Sequence, residues 1–530
     1  MKSLLIFIPN NFPSEKHGYI HGKVYNDYES NSKKFFITNM QCLDEVSNNK
    51  GPSTGIIESI GYYSGCTDIQ DLKKRGNDWI VISLRPLQCL KSSKEVHDYY
   101  LQKIFIDNKI VDSCDYYTVI IIYDTTALLK TELFRHHNAT GNHFLQLKDI
   151  LERKAIDDKM KRNNYFSFLK EIIFMHTLWL FMYPVLYSYK ITNKLLPIFK
   201  YSTLGLHLNK WLENSNWILL TLIQDKKFSL KTINHIFATI FDILLGILFI
   251  KFFLYVIGNT LLSQILLDNA EIVVDSLKNL VYWLMGSPAG LKLNYSFSKI
   301  LGKFFLYHIH FWWLFLVSIK PVMDFFFEVL LLFGRLGITF QIAIAADILA
   351  LVSFHAYCIY VYAARLYYIQ IRGLTALFRL FLGKKKNPLR ERVDSCSYQA
   401  DQLFVGTLLF TILLFLMPTT WVYYIVFTTL RLIIIGFGGV LTRLRFYFQV
   451  LPVYAFYCWL FNLENIHSSV KLVTKSRHEN GSITLLMTTV TSSWKDTWIH
   501  CIPDTINHIP SIEWSMIVKN ILWGKLLYPL

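Results

Sequence analysis

Runs of about twenty or more apolar residues fill this chain beyond its first third, and a run of that length is what one helix needs to cross the hydrocarbon core of a bilayer. Six are read here: Phe166–Tyr187, Ile236–Leu262, Phe304–Phe333, Phe340–Ala364, Leu403–Phe427 and Leu432–Phe461. Charges inside them, at Asp242, Lys251, Lys320, Asp324, Asp347, Arg443 and Arg445, each cost about 2.5–3.5 kcal/mol on insertion scales. They are expected to face other helices or to snorkel, and their number favours an assembly over a solitary bundle. Lys320 and Asp324, one turn apart around Pro321, form a candidate neutralising pair. Pro418 interrupts the fifth run and predicts a kink, with the hydroxyls of Thr419 and Thr420 placed to take up freed backbone groups.

The chain is 53% apolar with 40 Phe, 31 Tyr and 13 Trp, which suits helices whose sides meet lipid and whose ends carry aromatic anchors. Its formal charge of +16 is spread along the flanks of apolar runs rather than gathered on a polar domain. That distribution points to anionic lipid and away from nucleic acid. The eight cysteines, at 42, 66, 89, 114, 358, 396, 458 and 501, have no zinc-binding spacing and read as free thiols. No metal site and no cofactor is implied.

Three regions follow from the composition. Residues 1–160 hold short β-rich runs (Leu4–Ile8, Phe35–Thr38, Trp79–Leu84, Ile104–Ile106, Thr118–Tyr123) between polar stretches, closing on a charged helical segment, Asp149–Arg162,. Residues 161–465 are the multi-span region and 466–530 a C-terminal tail. The fold class expected is an α-helical multi-span membrane protein of about six transmembrane helices with an N-terminal cytosolic α/β domain. The apolar run at the N-terminus is too short for a secretory signal, which keeps the first domain in the cytosol. The basic segment GKKKNPLRER, Gly383–Arg392, is placed in the cytosol by the positive-inside rule, and six spans then put both termini there. Lys190–Lys231, with seven Lys against two acids, conflicts with the lumenal side this count gives it. No internal repeat of the transporter kind is present.

Chemistry-bearing motifs are few. Two Glu seven residues apart, two Asp flanking one residue, and glycine-rich phosphate loops are all absent,. His308 and His310 lie two residues apart, so on a helix they point to different faces and read as interfacial or packed histidines. Arg390, Asp394, Tyr398 and Asp401 recur at four, four and three residues, one stripe of a predicted amphipathic helix leading into the fifth span, with Arg390 and Asp394 at ion-pair spacing. The bland reading is a solvated helix end; the functional one is contact with an anionic headgroup or a partner subunit.

The segments WLMGSPAGLKLN (Trp283–Asn294), LGKFFLYHIHFW (Leu301–Trp312) and RVDSCSYQADQLFVGTLLFTILLFLMPTTWVYY (Arg392–Tyr424) resemble the PIG-Q family, the Q subunit of phosphatidylinositol N-acetylglucosaminyltransferase. The resemblance covers about residues 236–461. It implies a non-catalytic scaffold subunit of the complex that transfers GlcNAc from UDP-GlcNAc to phosphatidylinositol, the first step of GPI-anchor synthesis, at the endoplasmic reticulum membrane. The implied partners are a catalytic PIG-A-type subunit, subunits of the PIG-C, PIG-H, PIG-P and PIG-Y types, and membrane lipid. No catalytic residue carries over. Two groups are singled out for lipid or partner contact. Gly286, Pro288 and Gly290 form a predicted tight turn presenting Lys292; Lys384, Lys385, Arg390 and Arg392 form a basic strip beside Asp394, Tyr398 and Asp401. Two other readings make distinct predictions: a chain that itself supplies a group for GlcNAc transfer would be active alone, and a lipid or ion transporter would support flux through liposomes.

Overall fold

The computed structural model describes residues 2–12, 16–27, 32–42, 58–64, 77–86, 97–107, 109–111, 116–133, 143–161, 165–258, 260–286, 288–387, 390–477, 482–506 and 513–528. In chain order its strands are β1 (Lys2–Pro9), β2 (Gly18–Asp27), β3 (Ser32–Cys42), β4 (Glu58–Tyr63), β5 (Trp79–Pro86), β6 (His97–Ile106), β7 (Lys109–Val111), β8 (Tyr116–Tyr123), β9 (Lys384–Asn387), β10 (Arg392–Ser395), β11 (His467–Arg477) and β12 (Ile483–Thr491). Its α-helices are α1 (Thr125–Lys130), α2 (His143–Lys161), α3 (Tyr165–Lys194), α4 (Leu196–Phe199), α5 (Thr203–Asp225), α6 (Leu230–Ile257), α7 (Leu262–Met285), α8 (Tyr295–Gly334), α9 (Ile338–Val352), α10 (Phe354–Phe381), α11 (Ala400–Gln449), α12 (Val453–Leu460), α13 (Trp494–Cys501) and α14 (Trp514–Leu522). Two compact units divide these elements: Met1–Thr177 with Lys227–Asn234 and Pro452–Ile502, and Leu178–Lys226 with His235–Leu451 and Pro503–Leu530.

The first unit is built on a sheet in the order β11-β12-β8-β1-β3-β2-β4-β5-β6-β7. β1 runs parallel to both neighbours, with Ile6 opposite Phe35 on one side and Ile120 on the other. Strands that are buried on both faces read as continuous apolar runs, and LLIFI and VIII do so. Alternate residues then divide between two layers. Leu4, Ile6, Ile8, Phe35 and Ile120 pack on one face. Phe7, Phe36 and Ile121 pack on the other against Phe144, Leu147 and Leu151, one face of α2, where the Phe7 ring stacks on Phe36 at 4.8 Å and meets Phe144 edge-on at 5.6 Å. The five runs read as strands lie within β1, β3, β5, β6 and β8, and the charged helix is α2, starting six residues earlier than expected. Strands β11 and β12, from the stretch expected as a tail, complete the sheet through parallel pairing of β12 with β8.

The second unit is helical. Among the described residues three helices are long and apolar enough to cross a membrane, Leu169–Lys194, Leu230–Ile257 and Ala400–Gln449, and a fourth span arises if α9 and α10 are one broken span, bent by 53°. Two expected boundaries are corrected. The run Phe340–Ala364 breaks at Ser353, where α9 ends and α10 begins. The expected fifth and sixth spans are not separated before Val450, because α11 is one helix of 50 residues. At 1.5 Å per residue it is about 75 Å long, and a straight helix crosses a core of about 30 Å only once. Thr428 and Arg431, which interrupt the apolar pattern, are buried in this helix; the interruption marks an internal polar face, not a loop. α11 also continues through Pro418, with Thr420 Oγ1 donating to Leu416 O at 3.4 Å.

The amphipathic helix expected over Arg390–Asp401 is likewise corrected. Strands β9 and β10 pair antiparallel as a hairpin, with Lys385 opposite Asp394 and Asn387 opposite Arg392. Residues 396–399 are irregular, and the helix starts only at Ala400. The sequence contains the reason: Asn387 precedes Pro388, which disfavours helical backbone at the residue before it. Glu391 takes φ of 48° in the turn.

Candidate functional site

The predicted turn at Gly286–Lys292 forms between α7 and α8. Gly286 closes α7, its N–H donating to Tyr282 O (3.2 Å) and Trp283 O (3.3 Å). Pro288–Gly290 makes one 3₁₀ turn, and Gly290 has φ of 75°, the left-handed region where glycine is favoured,. Lys292 is exposed. Asn294 then caps α8 by accepting the Phe297 N–H at 3.1 Å, while its own N–H donates to Thr419 Oγ1 at 3.2 Å. One turn on, Ser298 Oγ lies 3.1 Å from Tyr423 Oη. Two of the three segments carrying the family resemblance, Trp283–Asn294 and Arg392–Tyr424, thus interlock beside Pro418.

The basic strip lies elsewhere. Asp394 accepts from Arg392 Nε at 2.8 Å and from Asn387 Nδ2 at 3.2 Å, in place of the helical pair with Arg390. The Arg390 N–H donates to Asn387 Oδ1 at 3.4 Å, and Tyr398 Oη to Lys384 O at 3.4 Å. Lys384, Lys385, Arg390 and Arg392 are all exposed, so among the described side chains the hairpin presents these four cations, Arg392 being held by a carboxylate. Asp401 sits in the first turn of α11, where the helix dipole favours an acid. The hairpin adjoins the start of α11 and the Gly286–Lys292 turn adjoins Thr419. Nineteen residues of helix separate the two groups, roughly 28 Å, so the structure brings the strip residues together but not the strip and the turn.

Sequence reasoning placed Asp242 and Asp347 against other helices without finding their partners. Each holds the start of a helix. Asp242 accepts the Thr339 N–H (3.0 Å) and hydroxyl (2.6 Å) at the first turn of α9. Asp347 accepts from Ser202 Oγ (2.6 Å), the N–H (2.7 Å) and hydroxyl (2.5 Å) of Thr203, and the Leu204 N–H (3.1 Å) at the first turn of α5. Arg445 Nη1 donates to Thr203 O at 3.4 Å. His207 Nε2 lies 3.1 Å from Thr339 Oγ1, joining the two caps. Burial, assisted by nearby Arg445, pushes the His207 imidazole down to about 3, so it is neutral at physiological pH. His207, Trp211, Asn214, His235 and Asp242 line a cavity of about 160 Å³. The Ser202-Thr203 pair before the apolar run of α5 was a legible capping signal; its partner 144 residues away was not.

Other expectations resolve in the same helices. Lys320 donates to Gln264 Oε1 at 3.4 Å and not to Asp324. His308 packs on Tyr362 with ring centroids 5.4 Å apart, while His310 is exposed. Cys358, Cys396, Cys458 and Cys501 are free thiols; Cys66, Cys89 and Cys114 lie outside the described residues.

Comparison with known proteins identifies the family. The family described as N-acetylglucosaminyl transferase component (Gpi1) matches residues 175–468. The mouse protein named phosphatidylinositol N-acetylglucosaminyltransferase subunit Q is 40% identical over 300 residues, 56% of this chain and 51% of that protein. Its human namesake is 45% identical over 225 residues, 42% of this chain and 29% of that protein. The Schizosaccharomyces pombe N-acetylglucosaminyl-phosphatidylinositol biosynthetic protein gpi1 is 35% identical over 211 residues, 39% and 32% of the respective lengths. The matched stretch spans about half the mouse relative and about a third of the other two. No solved structure matches the chain. The match over more than half of its length makes the chain a member of the Gpi1 family of N-acetylglucosaminyl transferase components, the family also called PIG-Q.

Proposed function

We propose that this chain is a non-catalytic, positioning subunit of the membrane complex that transfers GlcNAc from UDP-GlcNAc to phosphatidylinositol at the endoplasmic reticulum. The observation that carries the reading is the use made of its most family-like residues. Asn294 bonds to Thr419, joining two of the family-like segments, and Tyr423 bonds to Ser298 just beyond the first of them, so they hold helices in register rather than facing a substrate. A soluble donor and a membrane-bound acceptor must meet in one geometry, and a rigid membrane scaffold lowers the entropic cost of that encounter. The partners proposed are a catalytic PIG-A-type subunit and subunits of the PIG-C, PIG-H, PIG-P and PIG-Y types. The strand-rich unit and the β9-β10 hairpin are proposed to face the cytosol, with the hairpin cations and Lys292 contacting phosphatidylinositol, other anionic lipid or a partner.

The test is GlcNAc transfer from UDP-GlcNAc to phosphatidylinositol by the purified full chain in mild detergent, with an active PIG-A-type partner, with a catalytically dead one, and alone. Activity confined to the active partner supports the reading. Activity of the chain alone overturns it and makes the chain an enzyme.

A further inference from the structure

Arg431 is a buried cation with no counter-charge among the described residues. It lies in α11, 9% exposed. Its Nε is enclosed without a hydrogen-bond partner, and among the described residues no carboxylate pairs with it. Its guanidinium sits 4.5 Å from the centroid of the Tyr357 ring, with the Tyr360 phenol as a second neighbour. Tyr360 is itself engaged, accepting the Leu527 N–H at 2.9 Å. An aromatic face recovers part of the hydration a guanidinium loses on burial, but a phenol carries no charge to balance it. A planar donor fork left in this state matches the oxygens of a phosphate.

The surroundings say where such a phosphate would come from. Immediately along α11, Leu432, Ile433 and Phe437 are 37%, 51% and 63% exposed. Open space also surrounds Gly436 and Gly438, where an added Cβ would meet nothing within 4 Å. Ile434, Ile435 and Gly438, at three, four and seven residues from Arg431, share its face of the helix and are only partly buried, while Leu432, Ile433 and Phe437 make the flanking and opposite faces apolar; a buried cation on such a helix suits a molecule with acyl chains and an anionic head. We infer that Arg431, backed by Tyr357, anchors a binding site for the phosphodiester headgroup of an anionic membrane lipid. The inference stands whether or not the positioning role proposed above holds.

The experiment is thermal unfolding of the full chain in mild detergent, comparing the wild type, Arg431→Gln and Arg431→Lys. Each is measured with phosphatidylinositol, phosphatidylglycerol, phosphatidylcholine or inorganic phosphate added. For the wild type, either anionic lipid is expected to raise the midpoint by about 2 °C at a hundredfold over its dissociation constant, and phosphatidylcholine to do nothing. Arg431→Gln removes an uncompensated charge, so it is expected to be at least as stable as the wild type without lipid and to lose the lipid-dependent shift. Arg431→Lys keeps the charge without the fork and is expected to retain less than half of it. A full shift in Arg431→Gln or in Arg431→Lys overturns the site, as does an equal response to phosphatidylcholine. A response to inorganic phosphate with none to either lipid overturns the lipid assignment.

Discussion

The carboxylate of Asp347 takes both the backbone N–H of Thr203 at 2.7 Å and its hydroxyl at 2.5 Å, across 144 residues of chain. A side chain that would be costly against lipid instead supplies the acceptors that the first turn of α5 lacks. The contact also ties α5 to α9. Asp347→Ala is expected to lower stability by about 2–4 kcal/mol, through a lost cap and stranded donors. Asp347→Asn, which keeps an acceptor, should lose less than half as much. Unfolding in detergent, followed by circular dichroism, measures both; equal losses would show that the charge and not the hydrogen bonds matters.

Gly337 carries the second cap. A Cβ there would collide with the Asp242 carboxylate, and a Cβ on Gly246 would meet the Gly337 carbonyl carbon at 2.6 Å. Gly337→Ala is therefore expected to cost about 2–3 kcal/mol, in the range of overpacked sites. The same unfolding measurement checks it, and a loss below about 0.5 kcal/mol would contradict the close approach.

His207, on α5 and outside the candidate spans, gives a pH signature. Its folded pKa of about 3 lies below the ordinary 6.5. The stability that depends on its neutral form is fully present above pH 6.5 and is lost as pH falls from 6.5 toward 3, at about 1.4 kcal/mol per pH unit. His207→Gln should flatten this part of the stability profile. An unchanged profile would mean that another group governs it.

Tyrosine hydroxyls hold the C-terminal segment. Tyr424 Oη donates to Ile521 O at 2.7 Å, Tyr367 Oη to Leu522 O at 3.4 Å, and Tyr360 accepts from Leu527 N–H, with the Tyr367 and Tyr424 rings stacked 4.3 Å apart. Replacing Tyr360 and Tyr424 with Phe removes about 1 kcal/mol for each bond while keeping the rings. Faster amide exchange at residues 514–528, with little change elsewhere, is the expected result. Uniformly faster exchange would place these contacts in the global core.

The hairpin cations are expected to matter for the assembly and not for the fold. Reversing Lys384, Lys385, Arg390 and Arg392 to Glu should leave the unfolding midpoint of the isolated chain within about 2 °C, because exposed charges contribute little. It should also lower GlcNAc transfer by the reconstituted complex severalfold. Undiminished transfer would remove the hairpin from the proposed contact surface.

The apolar runs, the β-rich first region and the resemblance in Trp283–Asn294 and Arg392–Tyr424 were legible in the amino-acid sequence, because each depends on residues close together along the chain. Strand and helix periodicity, the cost of charge in lipid and the conformational preference of glycine in a turn are local properties. What tertiary structure decided is where interruptions in those patterns go. Thr428 and Arg431 read as the gap between two spans, yet they are buried in one continuous helix. Arg390, Asp394 and Tyr398 fit a helical stripe, yet Asn387 before Pro388 and cross-strand pairing make a hairpin. Strands β11 and β12 bear no local mark of the sheet they join. In each case burial against residues distant in the chain, or a backbone restriction at one residue, outweighs the periodicity of a short window.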